Sequence, residues 1–132
     1  MRDIQALIEI FRQYPQVQAV YVFGSQASGR AGPESDLDLA IIPTDRSVKE
    51  KKLDILAGLA RLGYCDVDLV FLEEDDLVLA YEAIRQNRLL YAAPSFDRGG
   101  TYSRIVRKFL DFEPYLRVQR EAYKRRIIGA KA

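Results

Sequence analysis

Apolar residues recur at Ile4, Leu7, Ile8 and Phe11, the spacing of one helix face, and predict a helix over 3–13 that ends before Pro15. Val17 to Phe23 is a dense β-type run and predicts a first strand. Ser25 then fits the N-cap of a short helix over 26–29, closed by Gly29, and residues 30–35 with Gly32-Pro33 read as a loop. A second strand is expected over Asp36 to Ile42, stopped by Pro43. Ser47 and Glu50 have capping-box spacing before Leu53, Leu56, Ala57 and Ala60, which predicts a helix over 48–62 ending at Gly63.

Asp66 to Leu72 predicts a third strand, followed by an acidic turn into a helix at about 75–86. Asn87 suits a left-handed position after that helix, and Leu89 to Ala92 fits a short edge strand. Beyond Pro94 the spacing is helical: Tyr102, Ile105, Val106 and Phe109 share a face, as do Leu116, Gln119, Tyr123 and Ile127. Pro114 is expected to break or kink a continuous helix there, or to begin a second one. The chain therefore divides at the 93–101 linker into residues 1–94 and a helical tail, 95–132, too short to fold alone.

Composition narrows the chemistry. The 132 residues suffice for one domain with a core, and 48% apolar content argues against disorder. No apolar run approaches the ~20 residues of a membrane span, and the N-terminus enters an amphipathic pattern with no secretory leader. The single cysteine, Cys65, has no internal disulfide partner, which favours a reducing cytoplasm. Histidine is absent, excluding a Ser-His-Asp triad and the usual zinc ligand sets.

The net charge of +1 hides a split. Residues 1–94 carry ten Lys/Arg against fifteen Asp/Glu, whereas residues 95–132 carry ten against four. The basic tail suits an acidic partner or the protein's own acidic part, and equally a solvated helix face. No motif supports direct nucleic-acid binding.

The chemistry concentrates in residues 24–38. Gly24-Ser25 closes the first strand, and Asp36-Leu37-Asp38 opens the second. Alternation puts Asp36 and Asp38 on one strand face and Leu37, Leu39 and Ile41 on the other. Alone, Asp-x-Asp also fits a solvated strand end. Beside Gly-Ser it points to a cation held between carboxylates, and hard oxygen ligands suit Mg²⁺ or Mn²⁺. Gly24 lets a phosphate approach the backbone, while Ser25 opens a helix whose free N–H groups favour an anion. On the third strand Asp68 lies deeper than Asp66 in apolar surroundings, so Asp68 is the chosen third ligand and Asp66 an exposed end residue.

Gly24-Ser25, the ten-residue gap, Asp36-Leu37-Asp38 and Val67-Asp68-Leu69-Val70 together resemble the DNA polymerase β-like nucleotidyltransferase superfamily, over roughly residues 17–92. The compact length is similar to its minimal nucleotidyltransferase branch. The resemblance implies an α+β fold, a mixed β-sheet flanked by helices, with residues 1–94 as the nucleotidyltransferase domain. It implies that Asp36 and Asp38 bind two Mg²⁺, that Asp68 completes the second site, and that Gly24 and Ser25 hold a nucleoside triphosphate. Ser28 stands where many relatives carry a basic residue, leaving Arg30 as the nearest cation for the phosphates.

By the same resemblance the chain is an antitoxin that transfers AMP from ATP to a tyrosine of a co-encoded HEPN ribonuclease toxin and releases pyrophosphate. The run from Phe109 to Arg117 is similar to the tail such proteins carry, suited to docking a partner or to packing on its own core. Two rival readings stay open: adenylylation of a small-molecule hydroxyl such as an aminoglycoside's, and a non-catalytic module that binds nucleotide and neutralises its partner by contact. Three intact aspartates weigh against the second.

Overall fold

The computed structural model describes residues 4–24, 37–73 and 76–131, with side chains through 126. Helix α1 (Ile4–Arg12) leads into strand β1 (Val17–Phe23), and strand β2 (Leu37–Pro43) follows. A 3-10 helix (Arg46–Lys51) runs into α2 (Lys52–Arg61), then come β3 (Val67–Phe71), α3 (Leu77–Ile84), β4 (Leu89–Ala92) and α4 (Arg98–Lys131). The short helix and loop expected over 26–35 lie outside the described residues.

The four strands form one mixed sheet in the order β3-β2-β1-β4. β1 pairs antiparallel with both β2 and β4, whereas β2 and β3 are parallel. A parallel neighbour requires a crossover, and the 3-10 helix with α2 supplies it. This is the α+β architecture expected, with β4 at an edge.

Strand alternation divides the sheet between two cores. Val20, Val22, Leu37, Leu39 and Ile41 pack with Leu7 and Phe11 of α1 and with Ile55 and Leu59 of α2. Ala19, Tyr21 and Ala40 face the other way, against Ala80, Ala83 and Ile84 of α3 and Ile105 of α4. Because the central strands β1 and β2 are covered on both sides, they read as nearly continuous apolar runs.

Local rules set most boundaries. α2 ends where Gly63 adopts a φ of +98°, with Gly63 N–H donating to Ala60 and Tyr64 N–H to Leu59. Asn87, at φ +55°, follows α3, and its N–H donates to the Ile84 carbonyl. Arg98 clamps that turn, donating to both the carbonyl and the Oδ1 of Asn87 at 2.9 and 3.3 Å. The helix expected from Ser47 begins earlier: Asp45 is the cap, its Oδ1 accepting from the Ser47 N–H at 2.8 Å and from the Ser47 hydroxyl. These bonds hold the Asp45 carboxyl below the usual carboxylate range.

The expected break at Pro114 is not found; α4 runs through it. Proline deletes the hydrogen bond to the carbonyl four residues back. That residue is Leu110, which is 58% exposed, so water is at hand to replace the bond. The helix splits functionally instead. Thr101 and Ile105 are buried, and Phe109 stacks on Tyr81 of α3 with ring centroids 3.9 Å apart. Farther along, Tyr115, Val118 and Tyr123 are 57–63% exposed. The inner part of the tail thus belongs to the core, and its outer part leaves several large apolar side chains uncovered.

Tyr21 adds a local prediction. Its ring is buried edge-on to Phe96, its hydroxyl has no hydrogen-bond partner among the described residues, and burial raises its pKa despite the field of Arg98. A buried unpaired hydroxyl costs about 1–3 kcal/mol. Tyr21→Phe is therefore expected to match or exceed the parent in thermal midpoint; a drop of several degrees would mean that the hydroxyl is in fact bonded.

Candidate active site

Three elements converge at one end of the sheet. β1 ends at Phe23, β2 begins at Leu37 and β3 begins at Val67. Phe23 lies opposite Asp38, and Asp38 lies opposite Asp68. Since Leu37 and Leu39 point into the α1/α2 core, Asp38 projects on the opposite face, as alternation requires.

In a parallel pair with no register shift, opposed residues project to the same side. Asp68 and Asp38 are therefore neighbours, Asp38 half-buried and Asp68 exposed. Like charges directly opposite one another destabilise a strand pair, by roughly 0.2–1 kcal/mol. A divalent cation between them reverses the sign of that term. Asp66 precedes β3 and is exposed; its carbonyl accepts the Leu37 N–H at 2.9 Å, which anchors the start of β2.

Gly24 completes the described part of the site. Its φ of +72° lies in the left-handed region, and a Cβ there would sit 3.3 Å from the Asp38 Cγ and overlap Oδ2. The glycine's lack of a side chain has a direct structural consequence. It lets the Asp38 carboxylate lie against the β1 backbone, a contact no spacing rule reveals.

Ser25, Arg30 and Asp36 lie outside the described residues. Among the described residues no group of three or more Asp, Glu, Cys or His side chains is placed to hold a metal ion. The described donor set is two opposed carboxylates beside a glycine cradle, all oxygen and without soft ligands. That set fits Mg²⁺ or Mn²⁺ and does not fit zinc.

Residues 5–95 match the family model described as polymerase beta, nucleotidyltransferase. The protein adenylyltransferase MntA of Shewanella oneidensis is 29% identical over 92 residues, covering 69% of this chain and 66% of that protein. The match thus spans just under two thirds of that relative's length. A toxin–antitoxin crystal structure with AMP-PNP superposes with a TM-score of 0.72 at 24% identity, covering 96% of this chain and 98% of the other. A complex of tri-AMPylated Shewanella oneidensis HEPN toxin with MNT antitoxin gives 0.66 at 22% identity and 95% coverage of each chain. At these identities the structural likeness establishes the fold. Among the described residues no helix is long and apolar enough to cross a membrane.

Proposed function

The chain belongs to the polymerase beta nucleotidyltransferase family, and from that premise we propose that it is an antitoxin-type adenylyltransferase. It transfers AMP from ATP to a tyrosine of a HEPN toxin. The observation that carries this reading is the register that sets Asp38 beside Asp68, with Gly24 packed against the Asp38 carboxylate. The relatives named above favour a toxin as the acceptor: one is called a protein adenylyltransferase, and another is complexed with an AMPylated toxin.

Asp36, Asp38 and Asp68 would hold two Mg²⁺ ions, which supply Lewis-acid stabilisation of charge on the transferring phosphoryl group. The rest falls to the protein. Gly24 and Ser25 hold the triphosphate after β1, with Arg30, the nearest cation along the sequence, beside the phosphates in this reading. The tyrosine oxygen attacks the α-phosphorus, the bond to the bridging oxygen breaks, and pyrophosphate leaves in line. The phenolic proton passes to Asp68, whose exposure leaves it accessible to an incoming side chain. Positioning and fixed charge do the remaining work.

Asp68 and Asp66 are separable by substitution. Asp68→Asn should lower transfer at least about 100-fold, the usual range for losing an acid–base group. Asp66→Asn should change it less than about threefold, because its backbone carbonyl, which anchors β2, is retained. Mass spectrometry of the HEPN partner after incubation with ATP and Mg²⁺ reads both; loss with Asp66→Asn alone would move the role there.

The partner docks on the outer part of α4. Leu110, Tyr115, Val118 and Tyr123 are exposed, and the surrounding helix is strongly basic. This uncovered surface favours a protein acceptor over a small molecule. Deleting residues 114–132 should leave the core folded, since Thr101, Ile105 and Phe109 remain, and should weaken toxin binding at least about tenfold. Undiminished binding by the truncated chain would place the interface elsewhere.

A further inference from the structure

The parallel strands β2 and β3 open, at their carboxyl ends, a crevice of about 360 Å³. It lies at the far end of the sheet from Asp38 and Asp68, beyond Pro43 and Leu72, and is bounded by the 3-10 helix, Ala80 of α3 and the inner part of α4. The carboxyl ends of parallel strands are where open α/β sheets commonly bind ligands. The volume falls within the usual range for small-molecule sites.

Its lining has two characters. Ile42, Val48, Leu72 and Ile105 form an apolar floor, and Arg46, Lys49 and Arg104 bring three cations to the rim. Two acids share the lining and both are engaged: Asp45 caps the 3-10 helix, and Glu73 pairs with Lys49 at 2.5 Å. Among the described lining residues three cations thus stand with two acids. Two of the cations are guanidiniums from different elements, the group best matched to the paired oxygens of a phosphate. Thr101, the buried polar residue of α4, adds a hydroxyl to the wall.

We propose that this crevice is a second binding site, for a small organic phosphate whose phosphate meets Arg46 and Arg104 and whose body lies on the apolar floor. It stands apart from the transfer reaction and does not depend on that reading. Nothing in the chain's nucleotide chemistry requires a ligand there, so its occupancy would report a separate signal.

The test is a titration of the full-length chain, followed by backbone amide NMR at constant ionic strength, with inorganic phosphate, AMP and a sugar phosphate as probes. Saturable shifts are expected at Thr44, Lys49 and Thr101, with the organic phosphates binding at least about tenfold more tightly than inorganic phosphate. Arg46→Ala and Arg104→Ala, both at exposed positions, should each weaken that binding about tenfold or more, and Arg104→Lys should restore part of it. Shifts confined to the surroundings of Gly24 and Asp38, unchanged binding in both variants, or equal affinity for all three probes would each overturn the proposal.

Discussion

Replacing Asp38 by Asn is expected to lower AMP transfer by at least about 10³-fold, with a thermal midpoint within a few degrees of the parent. The amide keeps the shape of the carboxylate and discards its charge. If the Asp38 carboxylate contributes about 4 kcal/mol to holding metal and phosphoryl group in the transition state, three powers of ten follow. Stability should respond weakly and even favourably, because the substitution removes a like charge from beside Asp68. The ladder bonds of β2 are untouched, and the strand remains fixed by Leu39 and Ile41 in the core. Transfer assays and thermal melts on the same preparation separate the two effects. Parental transfer by this variant would contradict the role given to Asp38.

Gly24→Ala is expected to lose both stability and activity, for separable reasons. An alanine at φ +72° pays about 1–2 kcal/mol of backbone strain. Its methyl would also lie 3.3 Å from the Asp38 Cγ, inside ordinary carbon–carbon contact, and overlap the carboxylate oxygen. The carboxylate must move aside, and a displacement of about 1 Å at a reacting centre costs on the order of 10²-fold in rate. Gly24→Asn discriminates the causes. Asparagine tolerates a positive φ better but still carries a Cβ, so it should recover stability without recovering transfer. Full transfer by Gly24→Ala would show that the contact with Asp38 has no part in the reaction.

The sequence made much of this site readable because its key residues obey local rules. Alternation alone placed Leu37, Leu39 and Ile41 opposite Asp38, and the chain's turns fell where Gly63 and Asn87 tolerate a positive φ. The depth expected to set Asp68 apart from Asp66 is not found, since both are exposed at the end of an edge strand; what distinguishes Asp68 is its place opposite Asp38 in the parallel register. Other features were hidden because they are not local. The capping-box spacing at Ser47 does not mark the helix start, because the Ser47 hydroxyl donates to Asp45, whose carboxylate caps the 3-10 helix that runs into α2. Pro114 looked like a break because proline rules assume a packed helix interior, whereas here the freed carbonyl belongs to an exposed residue. The contact of Gly24 with Asp38 joins the residue after β1 to one in β2, and the crevice beyond Pro43 is assembled from five separate elements. Neither leaves a trace in spacing. Asp36, Ser25 and Arg30 lie outside the described residues, and the roles proposed for them rest on the sequence alone.

The most direct measurement is anomalous diffraction from crystals grown with Mn²⁺ and a non-hydrolysable ATP analogue. The expected result is manganese density within about 2.0–2.3 Å of carboxylate oxygens of both Asp38 and Asp68, with the triphosphate running past Gly24. Manganese bound elsewhere, or triphosphate density at the opposite end of the sheet with the two aspartates bare, would contradict it.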